Sequence, residues 1–108
     1  MRMTLDDLDT TVQELRLETS QGALTKKLAH VVSAIAAIPD LPPAEFSTDA
    51  LIRLRELAAE TIEAIETRID TGGDGIDVQQ HLAGTVYEIG RRMELVEAWF
   101  KPFATLEP

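Results

Sequence analysis

Apolar residues recur every three or four positions along this chain, and no stretch alternates with period two over a strand's length, so the pattern predicts helices and no strands. Leu5, Leu8, Val12 and Leu15 define a first helix over about 4–18, with Asp6 and Asp7 at its positive N-terminal end. The run Thr19-Ser20-Gln21-Gly22 reads as its end. A second stripe, Leu24, Leu28, Val31, Ile35 and Ile38, predicts a helix over 23–38 that Pro39 stops. The segment Pro39-Asp40-Leu41-Pro42-Pro43 cannot be helical throughout, because its prolines lack amide donors and push the residues before them toward extended backbone.

A third helix begins at a cap among Ser47, Thr48 and Asp49 and continues to about 70, with Leu51, Leu54, Ala58, Ile62, Ile65 and Ile69 facing inward. The fourth runs from 77, where Asp77 and Gln80 form a capping box, to 101, just before Pro102. Its seam is the clearest in the chain: Leu82, Val86, Ile89, Met93, Val96, Phe100 and Phe103 step by four and three in turn, as suits a long antiparallel partner. The glycine-rich segment Thr71-Gly72-Gly73-Asp74-Gly75-Ile76 joins helices 48–70 and 77–101 into a hairpin with arms roughly 33–36 Å long. The expected fold is therefore all-α: a long antiparallel helical hairpin with one or two additional N-terminal helices, residues 1–108 forming one domain. Leu95 and Trp99, with Tyr87 further back, lie off the seam of the last helix. This second apolar face calls for cover, either from the N-terminal helices or from a second copy in a homodimer.

Composition narrows the chemistry. With 44% hydrophobic residues but only five aromatics, the core is built mainly from Leu, Ile, Val and Ala. The absence of cysteine excludes disulfides, thiolate nucleophiles and thiolate-bound zinc, and it fits a reducing compartment. No apolar run approaches the ~18 residues of a membrane span, and the N-terminus lacks a signal peptide's apolar stretch, so a cytoplasmic location is expected. Nineteen acidic residues stand against ten Lys plus Arg, a net charge of −9. Such a surface repels phosphates, and with no basic stripe to offset it, direct nucleic-acid binding is excluded. The same field draws in a basic protein surface, including the DNA-binding face of a regulator, although it would also serve solubility alone.

Three constellations resemble catalytic or ligand-binding sites. Glu63-x-x-Glu66 and Glu94-x-x-Glu97 resemble the paired acidic motifs with which all-α nucleotide pyrophosphohydrolases of the MazG type hold magnesium, but Glu97 stands where that family has Asp. No Lys or Arg is placed obviously for the phosphates. Gln80-His81-Leu82-Ala83-Gly84-Thr85 followed by Gly90 is similar to a histidine-phosphotransfer signature, yet ungapped alignment puts Gln80 at the phosphorylated position and His81 about 100° round the helix. Asp70, Asp74 and Gly75 fall at the first, fifth and sixth positions of a calcium loop, but Gly72 and His81 occupy the third and twelfth. With two histidines and no cysteine, no triad or His/Cys metal site can be assembled, and no cofactor or metal is expected. The aromatic group Trp99, Phe100 and Phe103 serves core packing or an interface.

Thr25-Lys26-Lys27 ahead of a short apolar segment, Leu41-Pro42-Pro43 leading into a long helix, and Gln80-His81 opening the last helix after a glycine-containing loop resemble the TraM family of quorum-sensing antiactivators over residues 24–103. The resemblance implies two long antiparallel helices, dimerisation and no catalysis. It also implies a protein partner, the DNA-binding domain of a LuxR-type transcriptional activator, held off its promoter. The segment 4–18 extends beyond that family's usual N-terminus, and the run through Trp99 and Pro102 departs from its usual ending. On this reading the stripe Asp49, Glu56, Glu60 and Glu63 steers the encounter, and Leu95 and Trp99 supply affinity. The alternatives are the magnesium-dependent hydrolase and an acidic inhibitor of another nucleic-acid-binding protein.

Overall fold

A computed structural model describes residues 5–17, 21–71 and 75–104. Their regular structure is helical: α1 (Leu5–Leu17), α2 (Gln21–Ala37), α3 (Thr48–Thr71) and α4 (Ile76–Ala104), with short 3-10 turns at Ile38–Asp40 and Pro43–Glu45. Expectations that fall on residues 4, 18–20 and 72–74 lie outside the described residues.

The helix ends follow their local chemistry, with three departures from expectation. Ser47 is the cap of α3: its Oγ accepts the Ala50 amide at 3.1 Å and its carbonyl accepts that of Leu51 at 3.0 Å. Asp49 falls instead in the first turn, facing the helix's positive end. At α4 the expected capping box is not what opens the helix. The Gln79 amide donates to the Gly75 carbonyl at 3.0 Å, so the helix starts one residue earlier and Asp77 lies in its first turn. Gln21 and Gly22, expected to close the first helix, open α2 instead. Pro102 does not end α4, which continues to Ala104. The amide that proline lacks would have bonded the carbonyl of exposed Ala98, which water can satisfy, and Phe103 packs on Trp99 at 6.0 Å to hold the last turn.

Around the bundle the order is α1, α2, α4, α3, with α1 opposite α4 and α2 opposite α3. Asp6 bonds Arg53 at 2.8 Å, so α1 and α3 start at the same end and run parallel. Phe46, just before α3, meets Phe100 near the end of α4 at 5.2 Å, which makes those two helices antiparallel. Lys27 lies 3.9 Å from Glu14, pairing the start of α2 with the end of α1. It follows that α2 and α4 run parallel as neighbours, and that the connection from α2 to α3 crosses the diagonal of the bundle. A diagonal of roughly 11–14 Å, given helix axes 8–10 Å apart, is what the two 3-10 turns joined through extended Leu41 span.

The core follows the anticipated stripes closely. Leu8, Val12, Leu15, Leu24, Leu28, Val31, Ile35, Ile38, Leu51, Leu54, Ala58, Ile65, Leu82, Ile89, Met93, Val96 and Phe100 are all buried. Ile62, Ile69, Val86 and Phe103, expected inside, are only partly buried. Leu57 and Thr61 are buried without having been anticipated. The reason is geometric: α3 packs against both α1 and α4, so its buried arc is wider than a single two-helix seam. The Thr61 hydroxyl escapes desolvation by donating to the Leu57 carbonyl at 2.8 Å. The 13-residue α1 and 17-residue α2 cover only part of a hairpin whose α4 has 29 residues, roughly 44 Å. The molecule is accordingly elongated, 48 × 22 × 19 Å, with Ile76 at its tip 71% exposed.

Phe100→Ala should cost about 3–5 kcal/mol in urea denaturation, because it empties a fully buried site at the crossover. Leu95→Ala, on the surface, should stay within about 0.5 kcal/mol, and Ser47→Ala should cost about 1 kcal/mol through its lost cap.

Candidate functional site

The outward face of α3 carries Asp49, Ile52, Glu56, Glu60 and Glu63, steps of three and four that keep one face of a helix in line. Asp49, Glu56 and Glu63 are exposed and Glu60 is half-buried. Like charges at i,i+3 and i,i+4 repel by about 0.2–0.5 kcal/mol per pair, so local helix energetics do not favour this ridge. Tertiary packing sustains it. Arg53 turns to one flank, donating to Asp6 at 2.8 Å and Asp9 at 3.4 Å on α1. Its pKa is raised further, first by the hydrogen bond to Asp6 and then, against desolvation, by the two aspartates' charges. Arg55 turns to the other flank and pairs with Glu97 on α4. Both cations of the first half of α3 are thus engaged sideways, and the crest between them carries carboxylates. Within that crest sits Ile52, 45% exposed, an apolar group amid the acids. Sequence reasoning passed over Ile52; its place off the Leu51, Leu54, Ala58 stripe was the signal that could have found it.

Leu95 and Trp99 stand apart from the ridge. Glu97 reaches α3, and Leu95 is two residues away, about 200° round α4, so it lies on the flank turned from α3. Leu95 is 47% exposed. Trp99 is half-buried, its ring 5.7 Å from Phe46 and 6.0 Å from both Phe100 and Phe103. Its large surface is spent on sealing the crossover.

The glutamate pairs do not converge. Arg55 marks the level of Glu97, and Glu63 and Glu66 lie eight and eleven residues further along α3, roughly 12 and 16 Å away along the axis. Glu97 is moreover engaged by Arg55. Among the described residues no three His, Asp or Glu side chains come together as a cation site requires. Asp70 lies inside α3, which removes the start of a calcium loop, and positions 72–74 lie outside the described residues. His81 is exposed beside α2, on a shallow groove with Thr25, Ala29 and Ser33. A cleft of about 350 Å³ toward the same end of the bundle, sharing Leu28 with that groove, is floored by Leu15, Leu24, Leu28 and Ile65, with Glu63 and Arg68 at its edge. No described helix is long and apolar enough to cross a membrane. No family model, curated protein or solved structure matches the chain.

Arg53→Gln should speed amide exchange in α1 while leaving that of α3 and α4 unchanged, as hydrogen exchange read by mass spectrometry would show, because the lost bonds tie α1 alone to the hairpin.

Proposed function

We propose that this protein is a non-catalytic negative regulator that covers the basic DNA-binding surface of a transcriptional activator. The supporting observation is the α3 ridge: Asp49, Glu56, Glu60 and Glu63 in line, with Arg53 and Arg55 drawn off to its flanks. A DNA-binding face is arrayed with Lys and Arg to meet phosphates at helical spacing, and a row of carboxylates along a helix offers those side chains an alternative set of partners. The net charge of −9 accelerates the encounter, and occupancy excludes DNA because both ligands use the same cations. The resemblance to TraM antiactivators points to a LuxR-type activator as the target, in the cytoplasm. In this assignment Ile52 is the apolar anchor within the charged crest, in place of Leu95 and Trp99.

Replacing Glu56, Glu60 and Glu63 together by Gln should slow association with a LuxR-type DNA-binding domain by about 10- to 100-fold at low salt and flatten its salt dependence. Ile52→Ala should act mainly on dissociation, speeding it about tenfold. Surface-plasmon kinetics across a salt series read both effects, and association rates unchanged by the triple substitution would remove α3 from the interface. Capture of a different DNA-binding protein from host lysate would keep the ridge's role and replace the LuxR assignment.

A further inference from the structure

The line of residues that carries the acidic crest of α3 does not stop at Glu63. Continued by the same step of four, it passes through Thr67 and Thr71, and all three of these residues line the cleft of about 350 Å³. The crest is acidic over roughly 21 Å, from Asp49 to Glu63, and beyond that it opens into an apolar cleft. The cleft is deep as well as apolar. Its lining comes from α1, α2 and α3, and α2 and α3 are diagonal to each other in the bundle, so a space bounded by both reaches into the core. Its floor is Leu15, Leu24, Leu28 and Ile65, and Ala64 is the small residue on its wall. Water held there meets aliphatic side chains that offer it no hydrogen bonds, so an apolar group that displaces it gains affinity. The charges at the mouth are unequal. Arg68 already has a partner within the chain, whereas Glu63 is exposed and pairs with no cation among the described residues.

We propose, resting on the reading of α3 as an interface, that the cleft receives one large apolar side chain of the partner whose cations lie along the crest. The element bound is then a basic helix, with Lys or Arg at three- and four-residue spacing and a Leu, Met or Phe about one turn beyond the last of them. Continuity and charge argue for this occupant. Crest and cleft share Glu63 and lie on one line of one helix, so a straight element seated on the carboxylates is carried to the mouth of the cleft. A helix repeats its side chains at the crest's own spacing. A second copy of the chain would bring another −9 to the crest, and an anionic amphiphile meets the same field with Glu63 at the entrance. The two parts of the surface then have separate effects. The carboxylates set how fast a basic helix arrives, and the apolar side chain sets how long it stays. The cleft is thus what separates one basic helix from the many others that carboxylates alone would attract equally.

The test is a double-substitution cycle between chain and probe. The probe is a labelled helical peptide of about 18 residues with lysines at three- and four-residue steps and one Phe a turn beyond the last lysine, beside a control peptide with Ala in place of that Phe. Fluorescence anisotropy against the full chain at about 50 mM salt reads both affinities. The parent chain should bind the Phe peptide about tenfold more tightly than the Ala peptide. Ala64→Trp fills the cleft from its wall and should bring the two affinities within about twofold of each other. Thr67→Trp, on the exposed rim, covers the mouth without entering the core, and it should do the same even where Ala64→Trp disturbs the helical circular dichroism. Glu56, Glu60 and Glu63 replaced together by Gln should weaken both peptides alike. Equal affinity of the parent for the two peptides, or a preference for Phe that survives both Trp substitutions, would overturn the role of the cleft and leave the ridge standing. A triple Gln chain that binds both peptides as the parent does would overturn the ridge reading and the cleft assignment together. Sedimentation equilibrium of the chain alone reads the remaining occupant: a parent that self-associates, and is monomeric once Ala64→Trp fills the cleft, would give the cleft to a second copy and overturn its assignment to a basic helix.

Discussion

The diagonal crossing between α2 and α3 is the constraint on which the rest of the molecule depends. The second helix ends at Ala37, two short 3-10 turns carry the chain across with Ile38 buried in the first, and Phe46 lands against Trp99 and Phe100. Had the chain turned back directly, α3 would lie beside α2. By crossing, it lies beside α1, and these two parallel helices begin at the same end of the bundle. An aromatic cluster is suited to this corner because a few large rings can fill the irregular space where a connection passes under helix ends.

The charge distribution follows from that arrangement. Parallel neighbours bring Asp6 and Asp9 to Arg53, while the antiparallel hairpin brings Glu97 to Arg55. A helix with both signs of charge in its first half therefore shows one sign at its crest. Surface ion pairs of this kind contribute little to stability. Their larger consequence here is directional: they decide which way two cations point, and so leave a row of carboxylates facing outward. The neighbouring helix α4 shows the opposite treatment, a nearly neutral strip of small residues with one projecting tyrosine. Two adjacent helices thus expose chemically distinct faces, one acidic and the other nearly neutral.

The glutamates show how spacing along a helix differs from proximity in a bundle. Glu63-x-x-Glu66 and Glu94-x-x-Glu97 each occupy one side of a helix, which is the condition a shared magnesium site would require of each helix separately. Antiparallel packing aligns Glu97 with Arg55, and the other pair is displaced by roughly two to three turns. Register between helices, set by core side chains and connection lengths, decides the matter, and neither motif contains that information.

Much of the architecture was legible from periodicity because a buried stripe must recur at the helical repeat whatever it packs against. The four helices, nearly all of the core and the break at Pro39 follow from that rule, and Ser47 was among the anticipated caps because its side chain can accept an amide that the first helical turn leaves unpaired. The acidic stripe was equally visible, since it too is a property of one helix. What a single helix cannot encode is its neighbour. That Leu57 and Thr61 are interior, that Trp99 seals a corner, that Leu95's flank turns from α3 and that Ile52 shares the acidic crest all depend on which helices flank α3 and α4. Those adjacencies are long-range, set by a diagonal connection and by packing between residues far apart in the chain, and they emerge only when the stripes are buried together.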